Sequence, residues 1–128
     1  MMVLQVNNLK SHFFTEEGII KAVDGINFNI AEGEILGIVG ETGCGKTVTA
    51  LSIMRLLPEP GRIIDGEIFF KGEDLLKKDK DAMRRIRGKE ISMIFQDPLA
   101  SFNPVFKIGD QIAEILQIHL DINKKKAL

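Results

Sequence analysis

Apolar and polar residues alternate in two early stretches of the chain, Leu4 to Asn8 and Ala22 to Ile30, the second of which, "AVDGINFNI", spaces out Val23, Ile26, Phe28 and Ile30. A charged turn, "TEEG", lies between them, so two strands and a loop are predicted. The turn "AEGE" then feeds "ILGIVG", a short apolar run with little polar alternation. That is the pattern of a strand covered on both faces, and it marks the expected central strand. From Lys46 onward Val48, Leu51, Met54 and Leu57 recur at helical spacing until Pro58, Pro60 and Gly61 break the pattern; a helix of about three turns is predicted over Lys46 to Leu57. Beyond it "GEIFFKGEDL" reads as a strand and turn, "DKDAMRRIRG" as a short helix opened by an Asp and closed by Gly88, and "EISMIFQD" as another strand. Pro98 and Pro104 bracket a polar loop, and "VFKIGDQIAEILQIHL" sets Ile108, Ile112, Ile115 and Leu116 on one face of an amphipathic helix, ahead of the tail "NKKKAL".

A length of 128 residues is one domain's worth, or part of one. With 17 Lys plus Arg against 18 Asp plus Glu the net charge is -1, so no global field favours nucleic acid or an anionic membrane surface. Any anion must be captured locally. The single cysteine, Cys44, excludes an internal disulfide framework and a multi-cysteine metal site, and cytoplasm is the expected compartment. There is no run of about 18 apolar residues and no basic stretch followed by an apolar one at the amino terminus. A membrane would be met through a partner.

Between the expected central strand and the first helix lies "GETGCGKT", Gly40 to Thr47: a glycine, four free positions, then Gly-Lys and Ser or Thr. The flanking strand and helix matter more than the match, because that arrangement turns successive backbone N–H groups inward around phosphate oxygens at a helix amino terminus. In this reading the backbone from Gly40 through Glu41, Thr42, Gly43, Cys44 and Gly45 to Val48 surrounds the phosphates. Lys46 reaches the terminal phosphates as a point charge, and the Thr47 hydroxyl takes one position on a Mg2+ ion bridging two phosphates. A triphosphate nucleotide with Mg2+ is the implied ligand. A tight glycine turn capped by a lysine is the plainer alternative, and the flanking strand and helix weigh against it. Cys44 stands where only the backbone is needed; with no base beside it, it reads as a tolerated small residue rather than a nucleophile.

Kinases, small GTPases and motors share this glycine pattern, so it cannot name a function alone. The stretch "AMRRIRGKEISMIFQDPLASFNPVFKIGDQIAEIL" resembles the ATP-binding subunits of ABC transporters, and within them the subfamily that powers oligopeptide, dipeptide and nickel import. "AVDGINFNIAEGEILGIVGETGCGKTVTALSIMRLLP" and "GEIFFKGEDLL" are similar to the opening segments of the same subfamily, so the resemblance runs from about Leu4 to His119. It implies an α/β fold, a P-loop NTPase (RecA-like) core with an antiparallel β-subdomain, incomplete at the carboxy-terminal side. Residues 1–128 would then be the amino-terminal portion of a nucleotide-binding domain. It also implies an ATPase that takes ATP and Mg2+, pairs with a second ATP-binding subunit, and lies peripherally on the cytoplasmic face of the membrane against permease subunits. An external solute-binding protein serves such a transporter, and no nucleic acid is expected. Gln96 falls on the family's Q-loop glutamine, which contacts the Mg2+ and the water and moves with the permease. Lys46 and Gln96 are thus the expected catalytic residues, and Thr47 and Gln96 the expected metal contacts. The family also stacks an aromatic side chain on adenine: Phe13 lies closest to that position, with His12 and Phe14 as rivals, and Val23 is placed to touch the base or ribose.

Family ATPases continue into a helical segment with an "LSGGQ" signature, a strand ending in a magnesium-binding aspartate and a catalytic glutamate, and a switch histidine; none occurs within residues 1–128. Hydrolysis needs groups that orient water and take up developing charge, so the chain is expected to bind ATP better than it cuts it. It is expected to be part of a longer subunit and to leave apolar strand edges unpaired. Two rival readings are a truncated, non-hydrolysing nucleotide-binding module and a small P-loop kinase, and "FQDPLASFNP" speaks against the second. His12 and His119 lack ligand-spaced companions and read as surface or helix-face residues rather than metal ligands. Arg84, Arg85 and Arg87, with Asp79, Asp81 and Glu90 close by, read as a solvated face. Lys124 to Lys126 read as a frayed end, and the Ile108 to Leu116 stripe as core in preference to a groove for a permease helix.

Overall fold

The structure, a computed structural model, describes residues 1–128 and falls into two compact units, Met1–Lys78 and Asp79–Leu128. In the first unit the elements are β1 (Met2–Thr15), β2 (Gly18–Ala31), α1 (Lys46–Ile53), β3 (Gly61–Phe70) and β4 (Glu73–Asp74). The strands form one sheet in the order β2-β1-β3-β4, antiparallel at every pairing, as the expected β-subdomain requires.

Strand β1 runs well past the alternation that revealed it, because its inward face changes parity. Leu4 and Val6 are buried, opposite Phe70 and Ile68 of β3. Strict alternation would bury residue 8 next. Instead Asn8 takes a φ of 46°, the register slips between Val6 and Leu9, and the buried positions become Leu9 and Ser11. One inserted residue carries the inward positions from even to odd through Ser11, and a further register shift before Phe13 leaves His12 buried as well. Asparagine tolerates that backbone better than most residues, and here it is held from across the sheet: Asn8 Nδ2 donates to Asp65 Oδ2 at 3.2 Å, and the Asn8 backbone N–H donates to Asn27 Oδ1 at 2.8 Å.

Helix α1 stops four residues short of the predicted end at Leu57. Arg55 takes a φ of 51°, and its Nη1 donates to the carbonyls of Leu75, at 3.0 Å, and Lys78. Those carbonyls belong to the 3-10 turn Leu75–Lys77 and its cap, so one guanidinium fastens the end of α1 to the last residues of this unit. The helix meets the sheet through a wholly buried pair, Ser11 Oγ to Ser52 Oγ at 2.7 Å. Ser52 gives its only hydroxyl proton to Val48 O, at 2.7 Å, so within the pair Ser11 donates and Ser52 accepts.

Residues 35–40 do not form the expected central strand. No ladder hydrogen bond reaches them, and Ile35 and Val39 are 97% and 93% exposed. A doubly covered strand is made by its neighbours, and no strand of residues 1–128 runs beside this run.

In the second unit are α2 (Lys80–Ile86), α3 (Ile108–Leu120) and α4 (Lys124–Ala127). Asp79 opens α2 as predicted, its Oδ1 accepting from the Ala82 N–H at 2.7 Å. The strand expected in "EISMIFQD" is absent for the reason given for residues 35–40: a single bridge, Arg87 to Ile91, is all its ladder, and Ile94 is 89% exposed. Helix α3 ends where the predicted stretch ends but starts at Ile108, three residues after Val105, and the face carrying Ile108, Ile112 and Ile115 is exposed while Ala113 is buried, so that stripe is not core here. The lysine tail is not frayed. Asn123 caps it through Oδ1, which accepts from the Lys126 N–H at 3.0 Å, and Lys124 Nζ reaches Asp110 Oδ1 at 2.7 Å.

Candidate functional site

The glycine loop ends in the first turn of α1. Gly45 is the N-cap, with a φ of 97° and no side-chain cap bond. The first helical hydrogen bond runs from the Thr49 N–H to Gly45 O, at 2.9 Å. Ahead of it the N–H groups of Gly45, Lys46, Thr47 and Val48 have no acceptor within the chain, and they form the positive end of the helix dipole.

Gly45 is constrained twice, by its positive φ and by a Cβ position that overlaps the Ala22 carbonyl oxygen and lies 3.5 Å from Val23 Cγ2. Gly40 lies beneath the Cys44 side chain: a Cβ there would meet Sγ, the free end of that side chain, which can turn aside. Lys46 folds back across the loop, where its Nζ donates to Gly40 O and to Glu41 O, the latter at 2.8 Å, and stands 3.6 Å from Cys44 Sγ. Glu41, Thr42, Gly43, Cys44 and Thr47 are exposed around it. Amide donors and one ammonium converging on a bare backbone suit a polyanion, and an exposed threonine hydroxyl at the same turn suits a hard, oxygen-seeking cation such as Mg2+. The residues present therefore fit a nucleotide phosphate chain and its metal.

A cleft of about 310 Å³ opens beside the loop, between Ile26 and Phe28 of β2 and Leu36, Ile38 and Val39. Its far wall is the uncovered apolar flank of residues 35–40, and its near wall is the loop itself, through Cys44, Gly45, Lys46 and Thr49.

The three rivals for the adenine position have different surroundings. Phe13 is half-buried, paired in the sheet with Ile20 and Gly61, and its Cε1 lies 2.8 Å from the place a Gly61 Cβ would take. Phe14 is exposed, with the Arg62 guanidinium 5.6 Å from its ring centroid. His12 is 6% exposed and its Nε2 is 3.2 Å from Asp24 Oδ1, so it is an interior strand residue and not the surface residue expected. Val23 is 3% exposed, directly against Gly45. His119 lies half-buried on α3 beside Gly88; Arg84 and Arg85 are exposed, as a solvated face demands, whereas Arg87 is half-buried and departs from that expectation. Gln96 stands exposed in a bend of the second unit.

Two carboxyl groups depart from their ordinary values, neither at the loop. A hydrogen bond from Lys78, then its charge, holds Glu73 below the usual carboxylate range, and Lys124 does the same to Asp110.

An α/β scaffold that presents a helix amino terminus through this glycine loop defines a phosphate-loop protein. The chain belongs to the ABC transporter family, which it matches over residues 23–127. It is 50% identical over 128 residues to the probable peptide ABC transporter ATP-binding protein y4tR of Sinorhizobium fredii, a match covering 99% of this chain and 38% of that protein. To the oligopeptide transport ATP-binding protein AppD of Bacillus subtilis it is 48% identical over 126 residues, covering 98% of this chain and 38% of that one. Among solved structures, the dimeric structure of MJ0796, a bacterial ABC transporter cassette, superposes with a TM-score of 0.77 at 25% identity, covering 90% of this chain and 47% of that one. The chain thus spans 38% of the length of the two transport proteins and 47% of the solved cassette, and none of its helices is long and apolar enough to cross a membrane.

Proposed function

We propose that residues 1–128 hold the nucleotide of an ATP-driven importer of peptides or a related small solute, as the amino-terminal portion of its ATPase subunit. The observation that carries this reading is the loop: four amide donors without acceptors, and the Lys46 ammonium resting on two carbonyls that phosphate oxygens can replace. The peptide class is supported by the names of the relatives from Sinorhizobium fredii and Bacillus subtilis.

In this reading the backbone from Gly40 to Val48 holds the phosphates, with Glu41, Thr42, Gly43 and Cys44 along its wall. Lys46 balances their charge, Thr47 and Gln96 contact Mg2+, and Gln96 also orients the attacking water. Bound Mg2+ supplies charge neutralisation across neighbouring phosphates. Phe13 stacks on the adenine, and Val23 serves by keeping Gly45 in place. The subunit pairs with a second ATP-binding subunit and lies peripherally on the cytoplasmic face of the membrane against permease subunits, with an external solute-binding protein completing the transporter.

Calorimetry of the chain with ATP and Mg2+ tests the core of this. Binding heat is expected, and Lys46→Ala is expected to weaken affinity about a hundredfold, since a charge-assisted contact to phosphate is worth about 1.5–3 kcal/mol. No heat from the parent, or a variant that binds as the parent does, would overturn the reading.

A further inference from the structure

We propose that Gln111 is a positioning residue for hydrolysis, holding the segment that follows Gln96 against the first turn of α3; this rests on the role given to Gln96 above. Gln111 Oε1 accepts from the Asn103 N–H at 2.9 Å, while its Nε2 donates to Asn103 O and to Phe106 O, both at 3.0 Å. One side-chain amide thereby spends its acceptor and both donor protons on three backbone groups of a single loop. Asn103 tightens the same turn, its Oδ1 accepting from the Val105 N–H at 3.0 Å and its carbonyl from the Phe106 N–H at 3.3 Å.

Little else secures this stretch. Every residue from Asp97 to Lys107 is exposed, and Lys107, the N-cap of α3, makes no side-chain cap bond. Between Gln96 and the clamped Asn103 the chain is largely taken up by the 3-10 turn Pro98–Ser101, closed by the Phe102 N–H to Leu99 O at 3.3 Å. The link is short and partly coiled, so fixing Asn103 restricts where Gln96 can stand. Catalytic geometry is steep: a displacement of about 1 Å in a reacting arrangement can cost on the order of a hundredfold in rate. A residue that shapes this loop therefore governs Gln96 without touching nucleotide. Phosphate affinity depends on the glycine loop, so binding and turnover should separate.

The test uses the complete subunit, with Gln111→Met, which keeps the length and loses the bonds, and Gln111→Glu, which keeps the acceptor but faces two carbonyl oxygens with a carboxylate. Both are expected to bind ATP with Mg2+ within about twofold of the parent by calorimetry, while single-turnover hydrolysis falls about tenfold or more. Hydrogen exchange at the Asn103 and Val105 amides should accelerate in both. Parent-like hydrolysis in Gln111→Met, with exchange showing the turn opened, would sink the proposal. Should both variants fail to fold, Gln111→Ala, a good helix former that removes the same three bonds, replaces them, and an unchanged hydrolysis rate there sinks it equally. A parent that binds no ATP defeats the functional reading and this proposal with it; normal binding and turnover insensitive to Gln111 defeat this proposal alone.

Discussion

A methyl group at position 45 would overlap the Ala22 carbonyl oxygen while the backbone sits at a φ of 97°, so Gly45→Ala attacks space and conformation together. The expected outcome is a loss of about 1–3 kcal/mol of stability and no measurable heat on titration with ATP; thermal melts and calorimetry check each, and a parent-like variant would refute the close approach of β2 to the loop. The buried serines give an asymmetric prediction. Ser52→Ala removes the acceptor for the Ser11 proton and strands that hydroxyl in the interior, at about 1–3 kcal/mol. Ser11→Ala leaves Ser52 still donating to Val48 O and should cost less. Urea unfolding of the two variants decides, and the reverse order would mean the proton is assigned wrongly. Residues of the glycine loop were legible in the sequence because their partners are near neighbours in the chain. The Ser11 to Ser52 bond spans 41 positions and the Arg55 to Leu75 bond 20, and no spacing rule reaches so far.

Among the elements, helices read well and strands read in part. Asp79 announces α2 and the proline cluster announces the limit of α1, since caps and breakers act within a turn. Strand β1 was cut short at Asn8 because an inserted residue is invisible to a period-two pattern. Helix α4 escapes the hydrophobic pattern because its one start signal is Asn123, followed by lysines with no apolar period. Its link to α3 yields a pH prediction. Asp110 is held below its ordinary value of 3.8 first by the hydrogen bond from Lys124 and then by that charge. A depressed folded value means the link is intact above the ordinary aspartate range and is lost as pH falls through the lower, folded one. Chemical shifts of residues 124–127 should therefore keep their helical character through the ordinary aspartate range and lose it only at lower pH, and Asp110→Asn should show the loss already at pH 7. Helical shifts that persist in the variant would show that the Asn123 cap suffices alone.

For the whole molecule, family and fold class are legible because motif order survives in sequence, and the unpaired apolar run at residues 35–40 is the expected bare edge; the strand itself does not form, because burial of a central strand is conferred by chains beside it. The exposed run, together with the bare Ile108, Ile112 and Ile115 face of α3, predicts concentration-dependent association near neutral pH, where a net charge of -1 supplies little repulsion. Sedimentation should show it, and Ile35→Lys combined with Val39→Lys should reduce it; a monodisperse parent at every concentration would contradict it. The unladdered amides and carbonyls of residues 35–40 also set up a race. Whichever extended segment arrives first, from the same polypeptide or from a stranger, can claim them, and later arrivals find the seat taken. Folding yield in the cell would then depend less on how strongly any one partner binds than on how soon it arrives.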